Sequence, residues 1–326
     1  MMAQRNFLNI DTPRDFLAQA LETFGHQYAH NPVYRSYCDH LRVRPQRVSQ
    51  LRDIPFLPIE FFKTQRVLTG TGAVAATFTS SGTSGQATSR HHVTDLSLYE
   101  ASFTQGFAHF YGPVEDYCVL ALLPSYLERQ GSSLIYMANH FIAASPHPQS
   151  GFFLHDLEAL RRTLGQLEAA GTKTLLLGVS FALLDLVALG PLSLEHTVVM
   201  ETGGMKGRRR EMIREELHGL LCQGLGVPKI HSEYGMTELL SQAYSQGDGL
   251  FSCPPWMRVL VRDTEDPFSH LGHGRSGGIN IIDLANRNSC SFLATQDLGR
   301  LRAGNTFEVL GRFDHSDVRG CNLMAL

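Results

Sequence analysis

Phe16, Leu17, Ala20, Leu21 and Phe24 recur at helical spacing behind Asp11-Thr12-Pro13, where an aspartate cap and an early proline predict a helix start. The pattern then changes period. Residues 54–59 form a Pro-containing extended segment, a helix is predicted over 95–110, and 117–123 is a continuous apolar run of strand length. Such a run fits a parallel strand covered on both faces. An amphipathic helix over 155–170 is closed by Gly171, strands are predicted at 174–177 and 197–200, and the second of these leads to Gly203-Gly204. A helix over 208–221 and strands at 257–262, 279–282 and 306–310 follow. The alternation of strand and helix predicts an α/β fold with a more strand-rich end, uninterrupted by repeats or low-complexity linkers.

Composition narrows the class without naming a chemistry. A chain of 326 residues with 43% hydrophobic content buries a large core and fits one large or two modest domains. A net charge of −3 gives no reason to expect nucleic acid or an anionic membrane as a partner. The first ten residues lack a signal-peptide core and no apolar run is long enough to span a bilayer, so a cytoplasmic protein is expected. The six cysteines (38, 118, 222, 253, 290 and 321) are scattered with no Cys-x-x-Cys pair, which fits a reducing compartment.

Candidate chemistry begins at residues 77–86, Thr-Phe-Thr-Ser-Ser-Gly-Thr-Ser-Gly-Gln. Gly82 and Gly85 let the backbone curl so that N–H groups converge on an anion, and Ser80, Ser81, Thr83 and Ser84 add neutral donors. A phosphate is the expected guest, although the Walker spacing and its lysine are absent, and on these residues alone a flexible turn stands beside that reading. Gly178-Val179-Ser180-Phe181-Ala182 sits where a nucleophile elbow would, between strand and helix, but Ala182 replaces the final glycine and argues against a hydrolase. His26 and His30 stand i, i+4 without a metalloprotease glutamate, which argues against a metal there. Arg208-Arg209-Arg210 reads as a solvated basic turn or, beside Gly203-Gly204, as an anion site.

A second segment, Ile230-His231-Ser232-Glu233-Tyr234-Gly235-Met236-Thr237-Glu238, resembles the Tyr-Gly-x-Thr-Glu signature of the adenylate-forming superfamily. The run at 79–85 is similar to that superfamily's phosphate loop, Thr295-Gln296-Asp297-Leu298-Gly299-Arg300 to its ribose-binding aspartate segment, and Gly311-Arg312-Phe313-Asp314 to its hinge. The stretches 54–63, 123–129, 235–242 and 319–323 resemble more narrowly the acyl-protein synthetases of bacterial luciferase operons, which activate long-chain fatty acids with ATP.

The resemblance implies an α/β large domain of the adenylate-forming type over 1–312. Within it 1–75 would be a helical and extended lead-in, 76–250 the nucleotide-binding part and 251–312 the strand-rich part, with a short tail at 313–326. It implies ATP and Mg²⁺. Ser80, Ser81, Gly82, Thr83, Ser84 and Gly85 would wrap phosphates; Gly203, Gly204 and Tyr234 would line the adenine, with Gly235 a further cofactor-binding position; Thr237 would touch the adenylate phosphate. Glu238 would hold Mg²⁺, and Asp297 and Arg312 would bind the ribose. The mobile C-terminal lid domain of the superfamily, with its lysine, is expected to be absent, so the missing cation would come from Lys206 or Arg208, from a partner protein, or not at all, and the site would be open to water. Cys321, beside Arg319, stands where the luciferase-operon family passes the acyl group to a cysteine and then to a reductase partner. The expected reaction is activation of a carboxylic acid and transfer to a protein thiol. A CoA or carrier-protein ligase of the phenylacetate-CoA ligase type, and a nucleotide-binding subunit without catalysis, are the alternatives.

Overall fold

In the computed structural model, residues 7–80, 88–124, 131–154, 156–203 and 212–312 are described. The first helix, α1 (Pro13–His30), is capped by Thr12 and not by Asp11: the Thr12 hydroxyl accepts from Asp15 N–H while the Asp15 carboxylate accepts from Thr12 N–H. This reciprocal capping box satisfies two orphan donors at once, which Asp11 one residue earlier does not. Next come α2 (Pro32–His40), β1 (Leu57–Pro58), α3 (Phe61–Thr64), β2 (Ala76–Thr79) and β3 (Arg90–Val93). The alternating stretch contains α4 (Leu96–Tyr111), β4 (Cys118–Leu122), α5 (Ser133–Ala144), β5 (Gly151–Phe152), α6 (Leu157–Ala169) and β6 (Thr174–Val179). It continues through α7 (Ser180–Ala188), β7 (Thr197–Thr202), α8 (Arg214–Leu225), β8 (His231–Tyr234) and β9 (Ala243–Ser245). The chain then runs through β10 (Leu250–Ser252), β11 (Met257–Arg262), β12 (His270–Leu271), β13 (Ser276–Asp283), β14 (Phe292–Leu301) and β15 (Thr306–Arg312).

The chain divides into two compact units, one of residues 1–77, 81–98 and 252–326, the other of 78–80 and 99–251. In the second unit β5, β4, β6, β7 and β8 pair in parallel in that order, and β9 continues the row antiparallel to β8, with β10 beside it. Every residue of β4 and β6 is buried, as their unbroken apolar runs require. Gly178 in β6 permits a close approach of α7, since a Cβ there would lie 2.7 Å from Leu183 Cδ2. Helix α8 starts at Arg214, later than the sequence pattern predicts, with Glu215 and Glu216 in its first turn. Acids there complement the helix dipole, whereas the arginines at 208–210 would oppose it. It ends at Gly226, whose φ of +66° makes the left-handed cap.

In the first unit β12, β11, β13, β14 and β15 form an antiparallel row, with β1 parallel to the first half of β14. Phe16, Ala20, Phe24 and Gln27 form the buried stripe of α1. The Gln27 side-chain amide donates to the carbonyls of Asn286 and Arg287, and its oxygen accepts from Ser291 N–H at 3.0 Å. Tyr34, Phe24, Phe56 and Phe292 fill the core beside it in mostly edge-to-face contacts.

Candidate functional site

Two groups of polar side chains stand out, one in each unit. In the second unit the parallel strands β7 and β8 end side by side, with Glu201 opposite Ser232 and Thr202 opposite Glu233. Ligands of open parallel sheets bind at the carboxyl ends of strands, so these ends are the natural place for chemistry. Side chains alternate across a strand, and the four residues therefore divide between the two faces of the sheet.

On one face the Thr202 hydroxyl donates to the Glu233 carboxylate, which also packs on the Gly235 backbone: a Cβ at Gly235 would lie 2.5 Å from Glu233 Oε1. Burial pushes the Glu233 carboxyl up to about 7, the Thr202 hydrogen bond opposes this, and the Glu201 charge adds to it. On the other face Glu201, 7% exposed, accepts from Ser180 Oγ at 3.1 Å and from Arg214 at 3.3 Å, with His218 Nε2 at 3.6 Å. Arg214 also donates to Ser232 Oγ and lies over the Phe251 ring. Gly203, at φ +69°, follows β7, and its carbonyl accepts from Ser180 Oγ at 3.0 Å.

Tyr234 ends β8 half-buried, its ring 5.9 Å from that of Phe251. The chain then turns through Gly235 to Glu238, closed by the hydrogen bond from Leu239 N–H to the Met236 carbonyl. Thr237 is half-buried in this turn, and Glu238 is 4% exposed. Behind the turn Ser241 pairs with Ser102 at 2.9 Å. Ser80 is half-buried just past β2, which is tied down where Thr79 N–H donates to the Gly131 carbonyl.

The first unit contributes Asp297 and Arg312. They are cross-strand partners in β14 and β15, and Arg312 Nε donates to Asp297 Oδ1 at 3.1 Å. Asp297 is 7% exposed while the Arg312 side chain is open to solvent. A register shift between Leu298 and Gly299 marks a bulge beside the aspartate, a device that re-aims side chains at functional positions.

Ser81, Gly82, Thr83, Ser84 and Gly85, together with Gly204, Lys206 and Cys321, lie outside the described residues. The nucleophile-elbow position is a strand-to-helix junction as its sequence implies, but Ser180 is 2% exposed and spends its hydroxyl on Glu201 and Gly203. His26 and His30 do share a face of α1, with rings 4.9 Å apart. The sequence reading missed Thr202–Glu233 and the Glu201 cluster. Both depend on which residues of β7 and β8 come to lie side by side, a register that the sequence pattern does not carry.

The fold belongs to a known class of enzymes. It is that of adenylate-forming ligases: 2-hydroxyisobutyryl-CoA ligase, solved in an open conformation with 2-HIB-AMP and CoA, superposes with a TM-score of 0.67 at 11% identity over 93% of this chain and 70% of that one. ATP-bound MatB of Rhodopseudomonas palustris gives 0.55 at 20% identity, covering 74% of this chain, which spans about half (49%) of that protein. Within the class, the model of the family "Acyl-protein synthetase, LuxE" matches residues 11–177, just over half of the sequence, and the chain belongs to that family. A long-chain-fatty-acid–luciferin-component ligase of Vibrio harveyi is 25% identical over 92% of this chain and 84% of its own length. One of the same description from Photorhabdus luminescens is 39% identical over 66 residues, 20% of this chain and 56% of that protein. Among the described residues no helix is long and apolar enough to cross a membrane.

Proposed function

We propose that the chain activates a carboxylic acid, a long-chain fatty acid by the character of its relatives, with ATP and passes the acyl group to a protein thiol. The observation that carries this is family membership combined with carboxylates and hydroxyls gathered at the carboxyl ends of β7 and β8. In the first step a carboxylate oxygen of the acid bonds to the α-phosphorus of ATP and the bond to pyrophosphate breaks. In the second a thiolate attacks the acyl carbon of the adenylate and AMP leaves. The protein's task in both is positioning and charge neutralisation.

The resemblance assigns the adenine to Gly203, Gly204 and Tyr234, with Gly235 a further cofactor-binding position, the ribose to Asp297 and Arg312, and the phosphates to Ser80–Gly85 and Thr237. Asp297 fits its role as a buried carboxylate held in place by Arg312, since an ionised carboxylate accepts hydrogen bonds from hydroxyl donors. The Glu238 carboxylate suits Mg²⁺, a hard cation that takes oxygen ligands. Among the described residues no group of three or more His, Cys, Asp or Glu is placed to hold a metal. Mg²⁺ takes one or two protein carboxylates and completes its shell with substrate phosphates and water. When bound, the ion would neutralise triphosphate charge.

The five described cysteines are poor acyl acceptors, because burial raises each of their thiols above its usual range. Cys321 is the proposed acceptor, with a reductase or carrier protein as the onward partner. The solved CoA ligases among its structural neighbours keep CoA as the second reading of the final thiol. Pyrophosphate release across a panel of acids from acetate to palmitate tests the activation step. Release is expected to peak with long chains and to fall ~10²-fold or more in Glu238→Gln, on the scale of lost transition-state charge stabilisation. No release with any acid would leave a nucleotide-binding subunit as the surviving reading.

A further inference from the structure

Ser180, the serine whose surroundings mimic a nucleophile elbow, has a different job. Its hydroxyl lies 3.1 Å from Glu201 Oε2 and 3.0 Å from the Gly203 carbonyl, and its single proton is shared between these two acceptors. Glu201 in turn takes Arg214 on its other oxygen, and Arg214 reaches on to Ser232 Oγ. Four elements are joined in this way: the start of α7, the end of β7, the first residue of α8 and the second residue of β8. The Glu201 and Ser232 side chains of this node lie on the side of the sheet away from Glu233.

The node has a defined mechanical effect. Gly203 follows β7 in a left-handed conformation with few steric restraints of its own, so its position depends on what holds its carbonyl. Among the described residues, Ser180 holds it. Across the strand pair, Arg214 fixes Glu201 against Ser232, and Ser232 lies two residues before Tyr234. Arg214 is itself held by stacking over Phe251 and by close packing on Gly249, where a Cβ would come within 2.7 Å of its Cδ.

We infer that Ser180, Glu201 and Arg214 are positioning residues that lock the carboxyl ends of β7 and β8 together, and so present Gly203 and Tyr234 at a fixed separation as the two walls of the adenine site. This rests on the proposed nucleotide role of Gly203 and Tyr234. The node touches neither ATP nor the acid; it sets ATP affinity through backbone placement. Its disturbance therefore weakens ATP and spares the acid.

The test compares wild type, Ser180→Ala and Arg214→Lys by calorimetric ATP binding and by steady-state pyrophosphate release, with KM measured separately for ATP and for the acid. Ser180→Ala removes one oxygen from a buried site, and Arg214→Lys alters a partly exposed side chain, so folding of at least one is secured. The expected result is a rise of about tenfold in the Kd and KM for ATP, with the KM for the acid within twofold of wild type and the thermal midpoint little changed. Arg214→Lys, which keeps a cation for Glu201 but alters the reach of the single nitrogen, Nη1, that bridges Glu201 and Ser232, is expected to fall between wild type and Ser180→Ala. Unchanged ATP affinity in both variants overturns the inference, and so does an equal loss for ATP and acid, which would mean general destabilisation. Failure of wild type itself to bind ATP overturns the nucleotide reading, and the inference with it; binding by wild type with no split in the variants overturns the inference alone.

Discussion

Glu233 is a residue whose ionisation the fold controls directly. Its carboxyl titrates near 7 instead of the usual 4.5, because burial penalises the charge and Glu201 across the strand pair adds repulsion. A raised folded-state pKa on a carboxyl means that the folded protein binds the proton more tightly than the unfolded chain. The stability this group contributes is therefore fully present below about 4.5, is lost as pH rises through the window to about 7, and stays absent above it. Glu233→Gln keeps the acceptor for Thr202 and removes the charge. The variant is expected to be more stable than wild type at pH 8, by about 3 kcal/mol at most, and to lose most of this advantage by pH 5. Urea unfolding at the two pH values measures it, and an advantage independent of pH would show that ionisation is not the cause.

At the scale of elements, sequence reading succeeded where hydrophobic pattern and burial coincide. The runs at 117–123 and 174–177 announce β4 and β6 because both faces of those strands are covered. It failed at β14, the longest strand, whose buried face carries Thr295, Asp297 and Gly299 while Ala294, Gln296 and Leu298 are more open, the reverse of the usual alternation. The Tyr-Gly-x-Thr-Glu and Asp297 segments were legible as motifs. Thr202–Glu233 and the Ser180 node were not, because they depend on the register of β7 against β8. Gly299 shows why β14 departs from pattern: a Cβ there would meet the Ile279 side chain at 2.6 Å and the Glu308 carbonyl at 2.7 Å. Neither neighbour is a free chain end, since one is core and the other is backbone. Gly299→Ala is expected to lower stability by about 1–3 kcal/mol through overpacking, read as a fall in the thermal midpoint. An unchanged midpoint would mean that β13 and β15 yield without strain.

At the scale of the whole molecule the open question is where the acyl group goes, and the state of the cysteines shapes the answer. Cys38 and Cys253 have thiols pushed up to about 12, and Cys290, fully buried, is raised further. A thiol is nucleophilic as its thiolate, so none of these attacks an acyl-adenylate readily near neutral pH. Cys321, flanked by Arg319 and Gly320, lies outside the described residues and is the proposed acceptor. With ATP and a radiolabelled fatty acid, the chain is expected to gain a label that survives denaturation and is released by neutral hydroxylamine, as a thioester is and a bound adenylate is not. Cys321→Ser is expected to release pyrophosphate as wild type does, since adenylation does not use the thiol, yet to lose the stable label because a serine hydroxyl is a far poorer nucleophile at that pH. Equal labelling of the variant would move the acceptor to another side chain. Labelling of neither, with acyl-CoA formed when CoA is supplied, would make free CoA the acceptor and leave the adenylation step intact.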